Sequence, residues 1–218
     1  MRSKRKVLGG IVYHCFNRAN GRLRIFKKPG DFEAFENVLA EAIDRVDMRL
    51  HGYCVMGNHW HLVVQPRLDG DLSEFMKWLT GTHSHRWHRA HGTVGIGHVY
   101  QGRYRSFPVQ SNKYYRTLMR YVEANPQKAK LVSRAVDWQW SSLAIRTGSK
   151  KPFKLCKPII ELGDGWVDGF DNLPEMPEKK IQNSIRRGAP FGDPEWTRQT
   201  AAKLGLESSI KPIGRPKI

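Results

Sequence analysis

The chain has 218 residues, 37 of them Lys or Arg against 20 Asp or Glu, which gives a formal charge of +17 at pH 7 and a sequence pI of about 10.1. At 39% hydrophobic and 11% aromatic residues it has the material for a buried core, which excludes a wholly disordered basic protein. Cys15, Cys54 and Cys156 are far apart and odd in number, which argues against a zinc knuckle or a disulfide framework; no apolar window approaches the roughly 18 residues of a membrane span, so a cytoplasmic protein is expected.

In chain order, residues 7–16 (VLGGIVYHCF) are rich in β-branched and aromatic side chains and predict a first strand. Residues 31–48 place Phe32, Phe35, Val38, Leu39, Ala42, Ile43 and Val46 at helical spacing, with Asp31 as N-cap and Glu33 and Glu36 near the positive end of the dipole. Residues 50–56 and 60–65 are short apolar runs around Gly57-Asn58, which is hairpin chemistry. Asp71 and Glu74 suit a capping box for a helix to about Arg89. A strand from Val99 to Val109 follows, then a helix capped by Ser111 and broken at Pro126. This β-α-β-β-α-β-α order predicts an α+β fold: a ferredoxin-like, RRM-like βαββαβ antiparallel sheet with one helix appended.

Beyond Pro126 the pattern loosens. A short helix is expected at Ser141–Arg146, a Gly/Pro/Asp-rich connector from Gly148 to Pro177, and helices at Glu178–Arg187 and Pro194–Leu204 before a basic tail. The expected division is a main domain over 1–147 and a small, mostly helical accessory module over 148–218.

The positive charge is segregated. Residues 1–30 hold nine Lys/Arg and no acid, and residues 75–122 hold eight, again with no acid but with five histidines and nine aromatics; residues 31–74 carry nine acids and three bases. Clustered cations release phosphate counterions and aromatic faces stack on unpaired bases, so a nucleic-acid surface is expected. The charge alone does not separate DNA from RNA.

His59 and His61 stand at i and i+2 on the predicted strand, so both imidazoles project from one face and Trp60 from the other. Such a pair either shares a divalent metal or belongs to an ordinary hairpin, and His83-Ser84-His85 repeats the same spacing. Tyr121 and Asn125, four apart on a helix, share a face. They are either a core aromatic and a helix end, or a nucleophile with an amide oxygen beside it for a metal. Tyr114 and Tyr115 compete for the nucleophile role, but Tyr115 and Tyr121 lie on different helix faces.

The segment Gly57-Asn58-His59-Trp60-His61-Leu62-Val63-Val64 resembles the His-hydrophobic-His signature of HUH single-tyrosine transposases. Arg120-Tyr121-Val122-Glu123-Ala124-Asn125-Pro126 resembles their nucleophile helix, and Tyr13-His14 through Asn17-Arg18, Gln101-Gly102-Arg103-Tyr104 and Trp140-Ser141-Ser142 are further matches. Among them the chain is most similar to the REP-associated tyrosine transposases, over residues 7 to about 147. The resemblance implies a metal-dependent enzyme on single-stranded DNA at palindromic hairpins. His59, His61 and Asn125 would hold Mg²⁺ or Mn²⁺, Tyr121 would form a 5′-phosphotyrosine with release of a 3′-OH, and a second 3′-OH would reverse the step to join strands. It also implies a monomer, with a dimer as the alternative.

Arg18, Arg22, Arg103 and Arg105 are the expected phosphate contacts. The tail Gly214-Arg215-Pro216-Lys217 resembles an AT-hook core, which makes Arg215 a candidate for a minor groove. Glu123, two residues from Tyr121, is expected to point away from the site. Histidines 85, 88 and 91 are expected on a DNA-facing helix. The rival readings are a rolling-circle initiator or relaxase with the same chemistry, and a non-catalytic nucleic-acid binder on the same sheet.

Overall fold

The computed structural model describes residues 6–149, 153–163, 165–170 and 177–212. Four strands, β1 (Val12–Arg18), β2 (Arg49–Met56), β3 (His59–Gln65) and β4 (Arg105–Val109), make one antiparallel sheet in the order β2-β3-β1-β4. Helices α1 (Pro29–Val46) and α2 (Asp71–Ala90) connect β1 to β2 and β3 to β4, so the expected βαββαβ order and ferredoxin-like sheet are found.

Alternation along the strands builds a core on each face. Tyr13 and Cys15, Tyr53 and Val55, and Trp60, Leu62 and Val64 meet α1 and α2 through Phe32, Phe35, Leu39, Leu72, Phe75 and Leu79. Trp60 is fully buried there, and its Nε1–H donates to the Tyr100 hydroxyl at 3.0 Å. That hydroxyl lies 2.8 Å from His83 Nδ1, so His83 is a core residue and the second His-x-His spacing does not form a site. The opposite face carries Val12, Cys54, Met56, Val63, Phe107 and Val109. It is covered by α3 (Lys113–Glu123), whose Tyr115, Leu118, Met119 and Val122 are buried. Close approach of α3 depends on Gly52 at a β2 irregularity: an added Cβ would lie 2.5 Å from Met119 Cε.

Several element ends differ from the sequence expectation, each for a local reason. β1 begins at Val12 because Gly10 turns the chain at φ 76°. Asp31 lies inside α1 rather than capping it, and its carboxylate accepts the backbone N–H groups of Lys27 and Lys28 at 2.9 and 3.1 Å. Gly70 precedes α2, while Asp71 accepts the Leu68 N–H at 2.7 Å. The last strand starts at Arg105, not Val99: Val99 and Tyr100 fold against the end of β1, with Asn20 N–H donating to Val99 O at 2.8 Å and Ala19 bridging Tyr100. Asn112 rather than Ser111 caps α3, its Oδ1 accepting from Tyr114 N at 3.0 Å. Pro126 does not send the chain into a loop, since a further helical turn, α4 (Asn125–Lys128), begins just before it.

After α5 (Ser142–Arg146), the helices α6 (Glu178–Arg187) and α7 (Pro194–Leu204) fall where the periodicity places them, followed by α8 (Glu207–Ile210). Trp166, Phe170, Ile181, Ile185 and Phe191 join the α3 side of the core. Phe191 also runs parallel to the outer edge of β4, its N–H donating to Pro108 O at 2.9 Å. Among the described residues no helix is long and apolar enough to cross a membrane.

Candidate active site

The strand register gathers the site. On β1, Phe16 lies opposite His61 and Arg18 opposite His59; on β4, Arg105 lies opposite Phe16. Strand alternation puts His14, Phe16, Arg18, His59, His61 and Arg105 on the face that α3 crosses. The His59 and His61 rings are 5.2 Å apart, and the Tyr121 ring stands edge-on to His61 at 5.9 Å. Of the competing tyrosines, Tyr115 turns its hydroxyl to His51 Nδ1 at 3.2 Å and Tyr114 packs edge-on against Phe191.

Both imidazoles are restrained through Nδ1. His59 Nδ1 is 2.7 Å from Asn58 Oδ1, and since that oxygen can only accept, His59 carries its proton there and leaves Nε2 with a lone pair. His61 Nδ1 is 2.9 Å from His14 Nε2. Burial pushes His59 down to about 4, assisted by the Arg18 charge, and holds His61 well below the usual histidine range, assisted by His14, His59 and Arg18. Both rings are therefore neutral at pH 7, the form that binds metals. Burial raises Tyr121 to about 12, opposed by the Asn125 amide, so it holds its proton in the resting protein.

Asn125 Nδ2 donates to the Tyr121 carbonyl at 3.1 Å, which keeps the amide one helical turn from the tyrosine. Two neutral imidazoles and an amide oxygen suit Mn²⁺ and, less strongly, Mg²⁺. Among the described residues no group of three His, Cys, Asp or Glu side chains could hold a metal. The donor chemistry fits a divalent ion.

Of the basic candidates, Arg18 comes nearest the centre. Its guanidinium lies over the Phe16 ring at 5.3 Å, its Nε is buried without a partner among the described residues, and its charge acts on His59, His61 and Tyr121. Burial, then Arg22 and Arg105, lower the Arg18 pKa, which places three cations close together. Arg103 is exposed in the loop before β4, and Arg215 lies outside the described residues.

Two neighbours of the site have no role assigned from the sequence, although His14 lies in the Tyr13-His14 match. His14, fully buried, meets His61, and Gln182 on α6 donates its Nε2–H to the Tyr121 hydroxyl at 2.8 Å. Lys128 on α4 pairs with Glu178 on the same α6. Glu123 does face elsewhere, accepting from Ser142 Oγ at 2.6 Å, Arg146 Nε at 2.8 Å and Trp166 Nε1 at 2.9 Å. Of the three histidines expected on a DNA-facing helix, His85 is exposed on α2, whereas His91, just past its end, stacks on Trp87 at 4.2 Å and approaches Asp31 at 3.3 Å, and His88 meets Thr93.

This fold is one found in a DNA transposase. A solved structure described as a REP-associated tyrosine transposase bound to a REP hairpin aligns with a TM-score of 0.55 at 16% identity, covering 74% of this chain and 93% of that one. The family model described as IS200-like transposase matches residues 8–125, more than half of the chain, and the chain belongs to that family: the protein is an IS200-like transposase. A crystal structure of a candidate transposase from Deinococcus radiodurans R1 gives a TM-score of 0.41 at 17% identity, over 56% of this chain and 96% of that one. No curated protein matches the sequence.

Proposed function

We propose that this transposase is of the REP-associated type and cleaves and rejoins single-stranded DNA at palindromic hairpins through a 5′-phosphotyrosine at Tyr121. His59, His61 and the side-chain oxygen of Asn125 would hold Mg²⁺ or Mn²⁺, and residues 1–147 would form the catalytic domain, with 148–218 accessory to it. The observation that carries this reading is the Tyr121 ring 5.9 Å from His61, on the sheet face that also presents His59. The hairpin bound by the solved relative of the same fold makes repeat hairpins the first substrate to try.

When bound, the metal supplies Lewis acidity that polarises the scissile phosphate and screens its charge. Tyr121 attacks phosphorus: its Oη–P bond forms, the P–O3′ bond breaks, the phenol gives up its proton and the departing 3′ oxygen takes one up. One phosphoester replaces another, so no high-energy cofactor is needed. Gln182 donates to the attacking oxygen and favours its phenolate form. Arg18, Arg22 and Arg105 attract the strand, and Arg18 stands nearest the reacting phosphate.

The test is a labelled single-stranded hairpin incubated with protein and Mn²⁺. A covalent protein–DNA adduct is expected from the parent chain and none from Tyr121→Phe. An adduct that persists in Tyr121→Phe overturns the assignment.

A further inference from the structure

His14 is fully buried on the middle of β1, and the chemistry above leaves it without a task. Its Nε2 lies 2.9 Å from His61 Nδ1, and its ring packs between His61 at 5.1 Å and Phe107 at 4.8 Å. Its other nitrogen, Nδ1, is buried and has no hydrogen-bond partner among the described residues. A buried imidazole with an orphaned nitrogen carries a desolvation penalty. Among the described residues, the contact with His61 is the one polar interaction of its side chain.

One proton sits between the two rings, and its position decides what His61 can do. If His14 Nε2–H donates, His61 accepts at Nδ1, carries its own proton on Nε2 and has no lone pair for a metal. If His61 Nδ1–H donates, His14 accepts at Nε2, carries its proton on the orphaned Nδ1, and His61 Nε2 keeps its lone pair. Asn58 restrains His59 in the same sense with an oxygen that cannot donate. A ligating histidine is commonly oriented by such a contact to its other nitrogen.

We propose that His14 is a positioning residue for metal binding: it accepts the Nδ1–H of His61 and so holds the His61 Nε2 lone pair toward the site. This rests on the assignment of His59 and His61 as metal ligands. It explains why a polar ring occupies a strand position surrounded by apolar packing. Its neighbours on the same face of that strand, Val12 and Phe16, are an aliphatic and an aromatic residue.

The experiment measures Mn²⁺ affinity of the full chain directly, by the electron paramagnetic resonance signal of free Mn²⁺, without DNA. His14→Leu removes the acceptor, and His14→Gln returns an amide oxygen near the position of Nε2. We expect Mn²⁺ binding to weaken roughly 10- to 100-fold in His14→Leu and to recover to within about threefold of the parent in His14→Gln. Nitrogen-15 spectra of the imidazoles should show His61 protonated at Nδ1 in the parent and in His14→Gln, and redistributed between tautomers in His14→Leu. Unaltered Mn²⁺ affinity in His14→Leu, an unaltered His61 tautomer there, or equal loss in both folded variants overturns the proposal. A separate control, His61→Ala, tests the underlying ligand assignment: if it binds Mn²⁺ as the parent does, that assignment fails, and the tautomer spectra still report whether His14 orients His61.

Discussion

Gln182 Nε2 donates a 2.8 Å hydrogen bond to the hydroxyl of Tyr121, 61 positions earlier in the chain. An amide N–H on a phenol oxygen stabilises the phenolate more than the phenol, and a hydrogen bond to a charged group contributes about 1.5–3 kcal/mol. Gln182→Leu should slow formation of the covalent adduct by about tenfold or more, with hairpin affinity retained. Single-turnover adduct formation beside a binding titration checks this. A faster rate in the variant would mean that the amide shields the hydroxyl rather than activating it.

Glu123 is the buried anchor for Ser142, Arg146 and Trp166, two residues from Tyr121 but turned away from it. Glu123→Ala leaves Arg146, which is 14% exposed, without its carboxylate. Stability should drop by about 3 kcal/mol or more, while adduct yield per folded molecule stays within about twofold. Urea unfolding and active-site titration measure the two quantities. Loss of adduct at undiminished stability would instead put Glu123 in the chemistry.

Arg18 carries a buried Nε, without a partner among the described residues, beside His59 and Tyr121. Arg18→Gln should weaken hairpin binding and reduce the slope of log affinity against log salt by about 1. The measurement is a fluorescence titration at several salt concentrations. A slope equal to that of the parent would show that Arg18 meets no phosphate.

Burial holds His83 down to about 3, whereas an unfolded imidazole titrates near 6.5. Below 6.5 the unfolded chain takes up a proton that the folded protein refuses. The stability linked to neutral His83 is therefore fully present above pH 6.5 and is lost as the pH falls toward 3. His83→Asn keeps an acceptor for the Tyr100 hydroxyl but removes this titration. The pH dependence of unfolding free energy between about pH 4 and 6 should flatten by up to about 1.4 kcal/mol per pH unit. Parallel urea curves for the two proteins across that window would rule the effect out.

Where local periodicity governs, the sequence was readable. The two-residue spacing of His59 and His61 puts them on one face, the four-residue spacing of Tyr121 and Asn125 puts them one turn apart, and α6 and α7 keep the bounds that their pattern indicates. Side-chain and backbone competition at helix starts was not readable: Asp31 and Asp71 both satisfy backbone N–H groups, but from inside their helices. The run from Val99 resembles a strand, yet its first residues pair with the loop after β1 rather than with the sheet. His14 and Gln182 were missed for a related reason. His14 meets His61 only through the β1–β3 register, and Gln182 reaches Tyr121 only after α6 folds against β4, and neither pairing leaves a short-range pattern.

The core under α3 is completed late in the chain, by Trp166, Phe170, Ile181, Ile185 and Phe191. During synthesis the other core can close as soon as Trp140 has left the ribosome, because all its buried members precede that point. The catalytic face cannot close until a further stretch has emerged. The transposase is thus translated with one core complete before the other, so a ribosome stalled in the connector would hold a sheet roofed by α3 alone, without the later apolar side chains that finish that core and without Gln182 beside Tyr121.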